Sequence, residues 1–138
     1  MATFIRPIPA LERRTEAFWK ACHAGRLEFT HCIPCNHFIH PSRPICPKCR
    51  GRNLDVVQVS GRARLHSYTV NHHRWYPGQE VPYVIGLVEL IEQTNLRLMT
   101  NVINCPIERV QIGMPLRVVF ENVSDEVALP MFEPEAQA

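Results

Sequence analysis

Four cysteines, spaced Cys32-x2-Cys35-x10-Cys46-x2-Cys49, carry the strongest chemical signal in this 138-residue chain. Each Cys-x2-Cys pair can turn as a tight knuckle that sets two thiolates on one side of a metal, and two knuckles close a tetrahedron. The spacing points to Zn²⁺, and iron in a rubredoxin-like site shares the geometry. Four protein ligands leave no open coordination position, so the expected metal is structural. Asn36 after the first pair and Arg50-Gly51 after the second suit knuckle exits, because Asn and Gly tolerate left-handed backbone. A disulfide framework is the competing chemistry. The N-terminus lacks a basic-then-apolar leader, and a cytosol keeps thiols reduced. His31, His37 and His40 lie nearby, but four cysteines already fill the shell. Arg43, Lys48, Arg50 and Arg52 can offset the roughly −2 charge of a zinc–tetrathiolate site.

Other chemistry is weaker. Cys22 falls on an apolar helical stripe, and Cys105 precedes Pro106 in an expected loop. A nucleophilic cysteine needs an activating base. Cys105 with His66 or His72 is the one candidate pair, so no catalytic residue is assigned. No Ser/His/Asp order or phosphate-cradling glycine loop occurs. The segment His72-His73-Arg74-Trp75-Tyr76 gathers cations and aromatics. Such a loop can stack on an adenine ring with Arg74 on a phosphate, anchor a protein partner, or cover one end of its own domain. Trp19 lies off its helix's apolar stripe. It either marks a docking surface beside Phe4, Ile5 and Ile8, or the N-terminal arm folds back over it.

The elements that must position these groups follow from pattern. Residues 1–10, with two prolines, read as an extended arm, and residues 15–24 as a helix. Thr15 is a candidate N-cap, Glu16 suits the first turn, and Gly25 marks the stop. Phe18, Ala21 and Cys22 share one face. Residues 27–31 read as a strand. The segments 55–60, 63–71, 83–91, 96–103, 116–122 and 127–132 are rich in β-branched and aromatic residues. Leu116, Val118 and Phe120 alternate inward, and Gly86 within its strand suits a bulge or sharp bend. Five or six short strands in this length suggest a small closed barrel, of which the OB-fold is the commonest five-stranded form. The expected organisation is an arm and helix over 1–26, a metal ribbon over 27–53, an OB barrel over 54–132 and a tail over 133–138. The fold class is mainly β with a short N-terminal helix.

Composition narrows the partners. With 46% hydrophobic and 20% charged residues the chain can build a core. No apolar run approaches the roughly 18 residues of a membrane span, so the expected location is cytoplasmic. Residues 1–53 carry nine Lys+Arg against three Asp+Glu, a balance of +6, whereas residues 54–138 carry six against ten, a balance of −4. Zinc ribbons and OB-folds elsewhere bind nucleic acid, which makes a nucleic-acid module the alternative reading. The acidic barrel half argues against it, because single-strand binders line the groove with positive charge.

The order of features resembles a known family. Phe18-Trp19-Lys20-Ala21 and Gly25-Arg26-Leu27 precede the two cysteine pairs, with Pro41, Arg43 and Pro44 between them. Val59-Ser60-Gly61-Arg62 leads into Ser67-Tyr68-Thr69-Val70. Pro82-Tyr83-Val84-Ile85-Gly86-Leu87-Val88-Glu89-Leu90 precedes Thr100-Asn101, and Ile112-Gly113-Met114-Pro115 and Leu129-Pro130-Met131-Phe132 close the chain. Over residues 15–132 this is similar to the acyl-CoA-associated zinc-ribbon/OB-fold proteins. Arg50 departs from the glycine common after the fourth cysteine. The resemblance implies a rubredoxin-like zinc ribbon and an OB barrel. It also implies a non-catalytic subunit of a thiolase, a lipid-transfer-type aldolase or a related condensing enzyme. In this picture copies flank a dimeric catalytic partner, scaffold it, and help to bind or pass acyl-CoA.

Overall fold

The computed structural model describes residues 6–135. Met1–Ile5, and with them the apolar Phe4 and Ile5 of the expected arm, lie outside the described residues. The remainder of the arm is irregular, and Arg6 donates from Nη1 to Asn101 Oδ1 at 2.8 Å.

Helix α1 spans Glu16–His23. Glu16 and Lys20 pair across one turn at 2.6 Å. Ala21 and Cys22 are buried, and Phe18 packs beside them. Thr15 occupies the N-cap position but does not cap. Its Oγ1 instead accepts from the Glu12 N–H at 3.3 Å, and the helix is entered through a turn in which Glu16 N–H donates to Glu12 C=O. Gly25 stops the helix at φ +84°. The Gly25 N–H donates to Cys22 C=O and the Arg26 N–H to Ala21 C=O, which is a Schellman motif.

Three short strands build the ribbon sheet: β1 (Glu28–Cys32), β2 (His37–Ile39) and β3 (Leu54–Gln58), in the antiparallel order β2-β1-β3. The β2 strand was not expected, being only three residues long. The segment at 55–60 was expected to join the barrel, but it pairs with β1 from Glu28↔Gln58 to Cys32↔Leu54. This segment pairs with the ribbon before the chain reaches the barrel because Cys46 and Cys49 return it alongside β1, where an unsatisfied strand edge is waiting.

The barrel holds five strands: β4 (Arg62–Asn71), β5 (Tyr83–Leu90), β6 (Arg97–Val102), β7 (Pro115–Asn122) and β8 (Ala128–Pro134). Their order is β4-β5-β6-β8-β7, closed by an antiparallel β4–β7 pair and a parallel contact at Val102↔Phe132. This is an OB-like closed barrel, and closure removes every open sheet edge. The β5 strand alternates without a break, with Val84, Gly86, Val88 and Leu90 facing inward. The bulge falls at His66 on β4, where the register slips between Leu65 and Ser67, and not at Gly86. Gly86 serves close approach instead. A Cβ there would sit 3.0 Å from Val102 Cγ2 and 3.1 Å from Leu65 Cδ1, across a narrow interior.

The helix, the base of the ribbon and the barrel share one apolar core. Cys22, Leu27 and Phe29 pack with Leu65, Val88, Leu116 and Phe132, all buried, while Val118 and Phe120 border the cluster. A second small cluster, Cys32, Ile39 and Cys46 with Leu54, lies under the knuckles.

Candidate metal centre and adjoining groove

Both knuckles follow from local backbone. Asn36 takes φ +51° and closes the first. In the second, Arg50 rather than Gly51 adopts the left-handed conformation, at φ +61°. Gly51 makes room: a Cβ would lie 3.3 Å from Cys49 Sγ, and the Gly51 N–H donates to that sulfur at 3.4 Å. Arg50 N–H to Cys46 C=O and Cys46 N–H to Gly51 C=O lock the turn.

The Sγ atoms of Cys32, Cys35, Cys46 and Cys49 all lie within 4.8 Å of one another. Cys32 and Cys49 are 3.7 Å apart, close to the edge of about 3.8 Å for a tetrahedron with Zn–S distances of about 2.3 Å. The titration chemistry fits a cation. Backbone N–H groups of Cys49 and Lys48 hold the Cys46 thiol down at about 7. Cys35 is pushed up to about 12, first by its contact with the Cys49 sulfur. Four thiolates at this separation need a positive ion between them to coexist. The donor set therefore suits structural zinc, held by these four residues with no position left for substrate.

His31 is buried beside the centre without ligating it. Its Nδ1 meets Asp55 Oδ1 and its Nε2 meets Asn36 Oδ1, both at 2.8 Å. Burial opposes its charge, but the two hydrogen bonds and the Asp55 carboxylate more than offset this and raise its pKa. His31 thus ties β3 to the first knuckle.

Beside the ribbon lies a groove of about 770 Å³ between α1, the 40–44 loop, the ribbon sheet and β6. Its floor is aromatic. The His40 ring lies 5.0 Å from Phe29 and 5.6 Å from Phe18, and Trp19 meets Phe18 edge-on at 5.0 Å. Burial lowers the His40 pKa and so favours the neutral ring. Ser42 anchors the loop to β1 through Thr30, Oγ to Oγ1, at 2.7 Å. Arg13, Arg14 and Arg43 stand at the rim, and Met99, 70% exposed, faces the groove from the barrel. Trp19 is half-buried in the groove wall. Arg13, Arg14 and Met99 were not among the residues singled out from sequence. Only Arg43 drew notice there, as a counter-charge for the metal.

The aromatic loop is a separate feature, and none of its residues lines the groove. Gln79 is its buried keystone. Gln79 Oε1 accepts from the Trp75 N–H at 2.7 Å, its carbonyl accepts from Arg74 Nε at 2.9 Å, and its N–H donates to Tyr76 C=O. Asn71 Nδ2 donates to His73 C=O, and the His73 ring sits edge-on to Trp75 at 4.3 Å. Trp75 is 63% exposed, so it does not cap its own barrel. His72, His73 and Arg74 are exposed and Tyr76 half-buried. Gln79 carried no sequence signal, because its role depends on the loop's closure.

The Cys105 thiol donates to Pro106 C=O at 3.5 Å, and among the described residues it has no hydrogen bond to His66 or His72. Cys22 is fully buried, and burial pushes its thiol up to about 12. Among the described residues the four ribbon cysteines form the one metal-capable cluster, which leaves His72 and His73 without a third ligand. No described helix is long and apolar enough to cross a membrane.

Comparison with known proteins agrees with this anatomy. Residues 19–55 match the ChsH2 rubredoxin-like zinc ribbon domain, and residues 56–121 match the ChsH2 C-terminal OB-fold domain. The chain is 37% identical, over 94% of its length, to a probable enoyl-CoA hydratase alpha subunit of Thermomonospora curvata, and spans 40% of that protein. A DUF35 domain-containing scaffold protein of Methanothermobacter thermautotrophicus is 34% identical over 69% of this chain and 71% of its own. The benzoylsuccinyl-CoA thiolase subunit BbsA of Thauera aromatica is 32% identical over 60% of this chain and 56% of its own. A solved structure described as the Ltp2-ChsH2(DUF35) aldolase superposes with a TM-score of 0.82 at 36% identity, covering 91% of this chain and 98% of that one.

Proposed function

The chain belongs to the ChsH2 (DUF35) family of zinc-ribbon and OB-fold scaffold proteins, and from that premise we propose that it is the non-catalytic subunit of a thiolase- or aldolase-type complex acting on an acyl-CoA. One observation carries this reading. The helix, ribbon and barrel together superpose on nearly the whole of one chain of the Ltp2-ChsH2(DUF35) aldolase, and a relative over the shared region is a thiolase subunit. The partner supplies the nucleophile and the acid–base groups. This chain supplies a metal-stapled surface of fixed shape. Trp75, with Arg74 and Tyr76, is the candidate contact, because a rigid exposed tryptophan beside an arginine is the composition of interface hot spots. Trp19 is a second candidate, for the partner or for coenzyme A. Copies of this chain flank a two-fold catalytic dimer, the commonest symmetry of such assemblies.

The test is co-expression with thiolase-type subunits of the same genome, followed by size-exclusion chromatography and a thiolase or retro-aldol assay. Coelution, with the partner's turnover dependent on this chain, is the expected result. Separate elution with unchanged turnover overturns the reading, as does thioester conversion by this chain alone.

A further inference from the structure

The ribbon sheet has two outer edges, and they are finished differently. On β2 the outward N–H and C=O of Phe38 are met by the Gln93 side chain. On β3 the edge is bare. The Val59 N–H donates to Leu27 C=O and the Ile33 N–H to Asn53 C=O, and bonding alternates along an antiparallel strand. In the register from Glu28↔Gln58 to Cys32↔Leu54, Asp55 and Val57 therefore bond to β1. Leu54, Val56 and Gln58 turn their N–H and C=O groups outward. Among the described residues none of these outward groups has a hydrogen-bond partner.

An open edge is a template for another strand, and proteins guard against pairing there with Lys, Pro, a bulge or a cover. The segment Leu54-Asp55-Val56-Val57-Gln58 contains no Lys or Pro, and its register with β1 is unbroken. Its one charge, Asp55, is bonded through Oδ1 to His31 Nδ1. Val56, β-branched and suited to a strand, is 55% exposed.

We propose that this edge pairs with the same edge of a second copy of the chain, antiparallel about a two-fold axis through Val56. The edge is self-complementary. Centring the pair on Val56 sets Leu54 opposite Gln58 of the second copy and Val56 opposite its own counterpart, so the outward groups meet as hydrogen-bonded pairs. Asp55 falls opposite Val57 of the second copy, so no like charges face each other. Further along, the same register brings Arg52 level with Ser60 of the second copy, whose N–H is held by Glu92 Oε2 at 2.7 Å. Arg52 and Glu92 are both exposed, and among the described residues neither takes part in an ion pair. The axis thus sets a free cation beside a free anion twice over. Val56 also lines the groove, so the joint runs along one margin of the groove in each copy.

The test is sedimentation velocity and amide hydrogen exchange on the full chain, from micromolar to millimolar concentration. A monomer–dimer equilibrium is expected. The Leu54, Val56 and Gln58 amides should gain protection as the dimer forms, while those of Asp55 and Val57 are protected throughout by β1. Val56→Pro removes an outward N–H and no bond to β1. Val56→Lys places a guard there and keeps the backbone whole. Each should weaken the dimer by about tenfold or more with zinc content unchanged. Arg52→Glu should weaken it too, and adding Glu92→Arg should restore it. A chain that stays monomeric at every concentration overturns the proposal and leaves the scaffold reading standing. A dimer that survives both Val56 variants overturns it in favour of a different face. Protection of the three outward amides that appears only in complex with a thiolase-type subunit overturns it in favour of a strand supplied by that subunit.

Discussion

The side-chain amide of Gln93 stands in for a missing strand beside Phe38. The Phe38 N–H donates to Gln93 Oε1 at 2.7 Å, and Gln93 Nε2 donates back to Phe38 C=O at 3.0 Å. Phe38 lies on β2, the outer strand of the ribbon sheet, and Gln93 lies in the β5–β6 connection of the barrel. One amide thus satisfies an exposed strand edge and fastens ribbon to barrel. Next to it, Glu92 Oε2 accepts from the Ser60 N–H at 2.7 Å where the chain passes between the two sheets.

Gln93→Ala removes both bonds and leaves two backbone groups short of partners. The expected loss is about 1–3 kcal/mol. Hydrogen exchange at the Phe38 amide should accelerate while the barrel amides of Leu65 and Val88 hold, and urea melts give the free energy. Gln93→Glu keeps the acceptor and loses the donor, so it should fall between. Unchanged Phe38 exchange in Gln93→Ala contradicts the clamp.

Arg50 occupies a left-handed position at φ +61°, a conformation that costs a non-glycine residue about 1–2 kcal/mol. Arg50→Gly relieves that strain but adds unfolded-chain entropy of about 0.5–1 kcal/mol. A net gain of about 0.5–1 kcal/mol is expected, seen as a melting temperature higher by a few degrees with metal content unchanged. Gly51→Ala should do the opposite, since its Cβ crowds the Cys49 sulfur.

Cys32→Ser breaks the tetrahedron. Because metal binding in such modules is folding free energy, stoichiometric zinc should disappear from elemental analysis, and amide protection at Cys32 and Ile39 should go with it. The barrel core around Leu65, Val88 and Phe132 is separate from the knuckle cluster, so its protection should survive. One zinc per chain retained in the variant would show that the four thiolates are not the site.

His40 gives a pH dependence of definite sign. Burial lowers its pKa below the ordinary value of about 6.5. As pH falls through that value the unfolded chain takes up a proton that the folded chain resists, so stability drops on the acid side. Above it both states are neutral and the contribution vanishes. Melting temperatures of the parent and of His40→Phe, measured from pH 7.5 to 5, should therefore separate, with the parent falling faster. Parallel curves would show that the half-buried ring titrates normally.

The clustering of the four cysteines and most of the barrel strands could be read from the chain alone. A Cys-x2-Cys knuckle is a local object whose spacing sets its geometry, and strand alternation is local too: Leu116, Val118 and Phe120 fall inward as period two requires. Gly25 likewise stops α1 through bonds that reach back only three to five residues. The membership of β3, the work of Gly86 and the amide of Gln93 were not legible, because each depends on what lies opposite across the core. The groove shows this most fully. Arg13 and Arg14 precede a helix, Arg43 sits between the knuckles and Met99 lies on β6, and nothing in their spacing links them. Only the packing of α1 and the ribbon base against the barrel, through Cys22, Leu27 and Phe29, sets three arginines around one aromatic floor. Apolar burial is non-directional, so the pattern of hydrophobic residues says that these surfaces must meet, while the shapes of the packed side chains decide where.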